Sequence, residues 1–574
     1  MLSGGATVLP MHRRMLHRNV RGPTPSWHGR VLIRVAVALT VLVGALTLSA
    51  PAHATTYYVR PDGGTASQCN GTADAAYPGH GRHRGCAWKS PTVALPMGDG
   101  QYGQKIPPAL IKGGDTLVIA SGSYMVGYSE TPIPGTQGQA CGKSNPYECS
   151  ISNIPSGIDA AHPTVITGDC TKPPELWGTQ RLSSIFNLSK RHDVTIACLE
   201  LTDHSNCITF YKPDPAHKCN RSTYPYGTWA DTGIHADHVT NLTLRNLNIH
   251  GFADQGINAG ALSGNTLLDG VTIRGNGWAG WNGDLGGNDD QSGNSGAIII
   301  RNSSIEWNGC TEDYPKTTII NCWAQQEGGY GDGVGMARTG GDWHILNTRF
   351  IGNTSDGLDL LYADGTGSVL IDHVTAMWNA GNQIKVSGNA TIQNSVVVGM
   401  CDYLRGHGAM SEDDLCRAAG AALSLSFTAT NQKIDVLHNT VAGSGDCLIN
   451  GGTHGGFSAP DKTDVYNYRN NVFLGAPYFR AGRNACLAWY TDALMNPYTV
   501  TYANNIVWNV KANTCPAGSI CKDPLLKNEN LARFDPAPRP GSPAIGSAIG
   551  ASCPARGARD AKRATQGCNV GAVQ

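Results

Sequence analysis

Ile345-Leu-Asn-Thr-Arg-Phe-Ile-Gly-Asn353, followed by Leu370-Ile-Asp-His-Val-Thr-Ala-Met-Trp-Asn379, is the stretch that decides the fold. Each phrase is a short, apolar, β-rich run that closes at an asparagine, and Asn353 and Asn379 stand 26 residues apart. The phrase recurs on both sides, at Leu244 to Gly251, Leu268 to Asn276 and Ile300 to Asn308, then at Ile392 to Gly399, Val436 to Gly443 and Tyr468 to Gly475. Units this short cannot bury their apolar face alone, so they must stack, with strands of successive coils paired in parallel about 4.8 Å apart. The prediction is an all-β fold, a right-handed parallel β-helix (solenoid) with loop insertions and disulfide-stapled loops. A β-propeller would need longer four-stranded repeats, and an array of β-sandwiches would not give this single-phrase period.

Outward from that stretch, Tyr57 to Gly63 and Lys112 to Tyr124 resemble the N-terminal segments of secreted β-helix proteins, and Asp523-Pro524-Leu525 with Pro540 to Gly546 resembles the segment that closes them. The expected organisation is a signal peptide over 1–54 and one β-helix domain over 55–574. Within it, 55–125 is the N-terminal cap, 126–510 the coils and 511–574 the closing segment. Composition agrees with an all-β chain: 72 glycines, 31 prolines and 15% charged residues favour turns over helices.

Arg30 and Arg34 precede an apolar run from Val35 to Leu48 and then Ala52-His53-Ala54, the three regions of a secretory signal with cleavage after Ala54. The run is short for a membrane span. A secreted, extracellular protein without a transmembrane segment in its mature chain is expected, an anchored N-terminus being the competing reading. Removing 1–54 takes away Arg13, Arg14, Arg18, Arg21, Arg30 and Arg34 and no acid, so the formal charge falls from 0 to −6. That balance gives no reason to expect nucleic acid, and affinity for a polyanion would need a local basic cleft or a bound cation. A monomer is expected.

All 18 cysteines follow Ala54, an even count that suits an oxidising compartment. Proximity pairs Cys69/Cys86, Cys141/Cys149, Cys207/Cys219, Cys310/Cys322, Cys401/Cys416, Cys515/Cys521 and Cys553/Cys568. Zinc ligation competes with this reading but finds no Cys-x-x-Cys pair.

Aligning coils on Asn353 and Asn379 puts Lys385 on Asp359 and Asn382 on Asp356, and matching Gly333 to Gly357 puts Asp332 one coil below Asp356. Asp332, Asp356, Asp359 and Lys385 thus gather over three coils. Asp356 and Asp359 are an odd number of residues apart, so a straight strand would face them oppositely. A bend near Gly357 is expected. Clustered carboxylates repel, so they protonate, bind cations or remain solvated, and an oxygen-only set suits Ca²⁺. Lys385 beside Asp359 reads either as an inert ion pair or, with Ca²⁺ on the aspartates, as an amine base that is neutral at alkaline pH.

These residues resemble the family 9 polysaccharide lyases, secreted β-helix enzymes that cleave polygalacturonate by β-elimination. In that family an aspartate on one coil and an Asp-Asp-Gly-x-Asp-type segment on the next bind Ca²⁺, and a lysine on a following segment is the base. The resemblance implies that Asp332, Asp356 and Asp359 hold Ca²⁺, that Lys385 is the catalytic base, and that the partner is an acidic polysaccharide. Ser355 stands where the family carries a further aspartate. Arg338 and Arg405 are the candidates for substrate binding, with solvated surface roles as the alternative.

Other readings compete. Polygalacturonase vocabulary is present in Gly406-His407-Gly408, Asp413-Asp414 and Ile384-Lys385, but in the wrong order for that hydrolase. A uronan epimerase would use a similar proton abstraction. A non-catalytic β-helix that binds glycan or serves as a scaffold would make the Asp-Gly pairs ordinary turns. Asp284, Asp289 and Asp290 could form a second metal site or a solvated loop.

Overall fold

The computed structural model describes residues 54–97, 106–127, 149–209, 217–223, 225–283, 293–323, 331–400, 402–409, 415–416, 420–453, 462–477, 483–490, 498–550, 553–558, 562–564 and 567–574. The expected signal peptide over 1–54 therefore lies, but for Ala54, outside the described residues. Asp284, Asp289, Asp290, Asp413, Asp414, Cys141 and Cys401 lie outside them too. Among the described residues no helix is long and apolar enough to cross a membrane.

Alternating burial shows why the repeated phrase becomes a strand. In Asp342–Leu346 the residues Trp343 and Ile345 are buried, and in Ser368–Asp372 the buried pair is Val369 and Ile371. One face of each strand enters the core, which is the period-2 signature of a half-buried strand. Corresponding residues of successive coils then stack, so that Ile300, Ile345, Ile371, Ile392, Val436 and Tyr468 form one continuous inward file.

Three long sheets result. The first has 13 strands, from Thr56–Gly64 to Thr499–Ala503; the second has 12, from Ser123–Gly127 to Ile506–Trp508; the third has 10, from Leu182–Asn187 to Cys486–Tyr490. A complete coil contributes one strand to each sheet in turn, as in Asp342–Leu346, Arg349–Ile351 and Leu358–Leu360, and pairing between coils is parallel throughout the three sheets. The chain is a right-handed parallel β-helix.

The corners are set by particular residues. Between the first and second sheets, Asn302, Asn347, His373, Asn394, His438, Asn470 and Asn504 each take positive φ, between 45° and 58°. Asparagine tolerates that left-handed region better than most side chains, which explains its recurrence at the third place of the phrase, in Ile300-Arg-Asn302, Ile345-Leu-Asn347, Ile392-Gln-Asn394 and Tyr468-Arg-Asn470. Between the second and third sheets the asparagines are buried and bonded to one another. Asn276 Nδ2 donates to Asn308 Oδ1 at 3.0 Å, Asn308 to Asn353 at 2.9 Å and Asn353 to Asn379 at 2.8 Å. Asn379 Nδ2 then donates to Gln383 Oε1 at 2.8 Å, so Gln383 ends the ladder from within its own coil.

Seven disulfides join described cysteines. Cys69–Cys86, Cys207–Cys219, Cys310–Cys322, Cys515–Cys521 and Cys553–Cys568 match the pairs expected from proximity. Cys170–Cys198 and Cys447–Cys486 were not expected; they span 28 and 39 residues and join chain segments that meet only after the coils stack. The closing segment folds back over the outer face of the second sheet, where Leu526, Leu531, Ala572 and Val573 pack on Ile351, Met377, Val396, Val398, Ala442 and Leu474.

Candidate active site

The third sheet positions every member of the expected constellation. Leu358 pairs with Ile384 and Asp359 with Lys385, so Lys385 stands one rung above Asp359 as the 26-residue period requires. Val334 pairs with Leu358 and Gly335 with Asp359, which carries the register down to the coil of Asp332. Asp356 lies in the corner just before the strand Leu358–Leu360, so its carboxylate reaches the same side as that of Asp359. The expected bend is therefore present. At Gly357 the reason for glycine is a close approach: an added Cβ would meet the Gln383 carbonyl at 2.5 Å and Asn379 Nδ2 at 2.7 Å.

Lys385 Nζ donates to Asp359 Oδ2 at 2.7 Å and to Asp356 Oδ2 at 3.0 Å. The second oxygen of each carboxylate is held by backbone. Asp359 Oδ1 accepts from the Leu361 N–H at 2.8 Å, and Asp356 Oδ1 accepts from the Asn382 N–H at 2.5 Å and Asn382 Nδ2 at 3.0 Å. Asp332 Oδ1 accepts from the Asp356 N–H at 2.8 Å, while its Oδ2 lies where a side chain on Gly335 would begin. Ser355 hydrogen-bonds the Asp332 carboxylate. The residue that stands for an expected aspartate thus supports a neighbouring one.

Charge in this cluster is unevenly held. Burial drives Asp332 well above the usual carboxylate range, and Asp356 and Asp359 push the same way. Burial also raises Asp359, to about 6, against the pull of Lys385. Burial would raise Asp356 too, but Lys385 and the Asn382 N–H outweigh it and hold that group low. For Lys385 burial opposes the charge, yet Asp356 and Asp359 more than offset it, so the side chain is held firmly as an ammonium. This is the ion-pair arrangement.

The donor set bears on Ca²⁺. All the candidate ligand atoms are oxygens, the chemistry Ca²⁺ takes. Asn382 Oδ1, buried beside Asp356, has no hydrogen-bond partner and adds an oxygen that sequence reading assigned no role. In this arrangement the ammonium of Lys385 is the cation that Asp356 and Asp359 hold. Among the described residues no group of three or more His, Cys, Asp or Glu side chains is arranged to hold a metal ion. The donor atoms are of the kind Ca²⁺ takes, and their arrangement is that of an ion pair with Lys385.

Arg338 and Arg405 are both exposed, Arg338 beyond the strand Val334–Gly335 and Arg405 in the insertion that precedes Leu423–Phe427. The hydrogen bonds and ion pairs that build the cluster run among Asp332, Ser355, Asp356, Asp359, Asn382 and Lys385. His407 of Gly406-His407-Gly408 packs against Trp307 and Tyr403, at the side of the second sheet. Sequence reading also missed the outward file to which the site belongs. Asn187, His235, Asn258, Asn282, Gly335, Asp359, Lys385, Ser424, Asn450 and Trp489 occupy one position on ten successive rungs. Its signal was available in Gly-Ile-His235, Gly-Ile-Asn258 and Gly-Leu-Asp359, each a glycine two residues before the outward side chain.

No known family profile matches this sequence, and no curated protein matches it. Among solved structures, the chain is similar to a pectate lyase, Pel9A, with 14% identity, 91% of this chain and 96% of that one covered, and a TM-score of 0.43. It is similar to an alginate lyase from Paenibacillus sp. str. FPU-7 at 15% identity, over 70% and 93% of the two chains, with a TM-score of 0.33. A rhamnogalacturonan lyase is similar at 13% identity, over 79% and 87%, with a TM-score of 0.35.

Proposed function

We propose that this protein is a secreted polysaccharide lyase that cleaves a uronate-containing, pectate-like chain by β-elimination, with Lys385 as the base and Asp332, Asp356 and Asp359 as the cation site. The observation that carries the reading is the seat of Lys385. Its amine stands one rung above a carboxylate, touches a second one, and belongs to the outward file of a sheet.

Lys385 Nζ would take the proton from C5 of the uronate. The C5–H electron pair would become the C4–C5 double bond, the C4–O bond would break, and the departing oxygen would take a proton from solvent water. Asp332, Asp356 and Asp359 would hold Ca²⁺, which when bound engages the uronate carboxylate, acidifies the C5 proton and disfavours the ammonium form of the lysine. The chain's own part is placement: Asn382 and the Leu361 N–H fix Asp356 and Asp359, and Ser355 fixes Asp332, so the lysine is aimed by groups that are themselves held. Because the ion pair stabilises the ammonium, activity should rise toward alkaline pH.

The test is absorbance of the unsaturated uronate product from polygalacturonate with Ca²⁺ at alkaline pH. Wild type should generate it and Lys385→Ala should not. A second reading, a non-catalytic glycan-binding solenoid, is favoured by the same ion pair, which satisfies Lys385 without any reaction. Failure to form product from polygalacturonate or alginate, with binding retained, would select it.

A further inference from the structure

Three rungs beyond Lys385 the outward file of the third sheet ends on an exposed aromatic ring. The register runs from Lys385 to Ser424, to Asn450 and to Trp489. Trp489 is 56% exposed, whereas Trp229, Trp281, Trp323 and Trp343 are fully buried. Its direction is fixed by its neighbours. Tyr490 faces the opposite way, against Gly451, and its hydroxyl bonds those of Tyr468 and Tyr502, both at 3.1 Å. The disulfide Cys447–Cys486 ties this last strand to the rung before it. A slip that turned the indole inward would expel Tyr490 from those bonds.

The rest of the file explains what such a ring could serve. From Asn187 to Asn450 it holds hydrogen-bonding side chains and one glycine, with no aliphatic residue. The corresponding outward file of the first sheet, by contrast, includes Leu267, Ile299 and Leu370. A floor of hydrogen-bonding groups that ends on a flat ring matches a chain whose units have polar edges and an apolar face. The electron-rich face of an indole attracts polarised C–H groups of such a face. The rung spacing of about 4.8 Å is close to the rise of one pyranose unit in an extended glycan.

We propose that Trp489 is a stacking platform for an extended polyuronate chain, holding the third sugar beyond the unit over Lys385. The inference rests on the reading of the Lys385 site as one that takes such a chain, and it adds a distant subsite to it. A chain must span four units to engage Lys385 and Trp489 together. Affinity should therefore climb once that length is reached, and Trp489 should be the cause.

The experiment measures the affinity of oligogalacturonates from two to eight units, and of alginate oligomers of the same lengths, for the full-length protein. The readout is the fluorescence change on rapid mixing, before product accumulates. For wild type and Trp489→Phe, affinity should rise at four units and above, and for Trp489→Ala that rise should shrink about tenfold with the dimer unaffected. Equal length dependence in Trp489→Ala and wild type would overturn the platform, as would absence of binding to either series. Loss of the length-dependent gain in a protein that makes no unsaturated product would support the platform while refuting the lyase reading.

Discussion

Asp332 combines full burial, two neighbouring carboxylates and no direct bond to the lysine among its hydrogen bonds. Its folded pKa is raised above the unfolded value near 3.9, so its ionisation works against the fold: the cost is absent at pH below about 4 and grows as pH rises. Asp332→Asn keeps an acceptor for the Asp356 N–H and removes that cost. In chelator it should melt several degrees above wild type at pH 7 and close to it at pH 3.5. Added Ca²⁺ should raise the melting temperature of wild type and much less that of the variant. Lys385 over Asp359 was legible because one uninterrupted 26-residue period separates Asn353 from Asn379, and a column alignment then has a single solution. The hydroxyl of Ser355 was not, since a missing charge in a column says nothing of the bond its replacement makes.

Among the elements, the asparagine ladder from Asn276 to Gln383 places the corner in which Asp356 sits. Asn353 accepts from the Asn308 N–H and Nδ2 and donates to Asn379, all in the core. Asn353→Ala would leave the Asn308 N–H without an acceptor and its Nδ2 with only the Ile273 carbonyl at 3.4 Å, a loss of about 2 kcal/mol, to be read as a lower urea midpoint. The sequence marked these asparagines as turn residues at the ends of strands. Their burial and mutual bonding follow from parallel stacking of identical corners, which no single phrase contains. Gln383 carries no such mark in the sequence, yet its longer side chain completes the ladder by accepting from Asn379 within the same coil.

Over the whole molecule, the C-terminal residues Leu526, Leu531, Ala572 and Val573 return across the second sheet and bury an apolar outer face. Trp378 Nε1 donates to the Leu531 carbonyl at 2.8 Å, across 153 residues of chain. Leu531→Asp should therefore cost on the order of 3 kcal/mol, seen as a lower melting temperature with increased binding of a hydrophobic dye. The face that Leu526, Leu531, Ala572 and Val573 cover was not legible in the sequence, because the contact separation far exceeds the repeat. Insertion and closure leave the third sheet's corner unchanged. Glycine stands there at 233, 256, 280, 333 and 357, so close to the carbonyl of the following coil that a side chain has no room. Two residues later the outward letters are His235, Asn258, Asn282, Gly335 and Asp359, followed by Lys385. The inner letter of each coil is closed to change while the outer letter is open. A lineage of such chains can therefore rewrite the chemistry of this face one residue per coil, without renegotiating its fold.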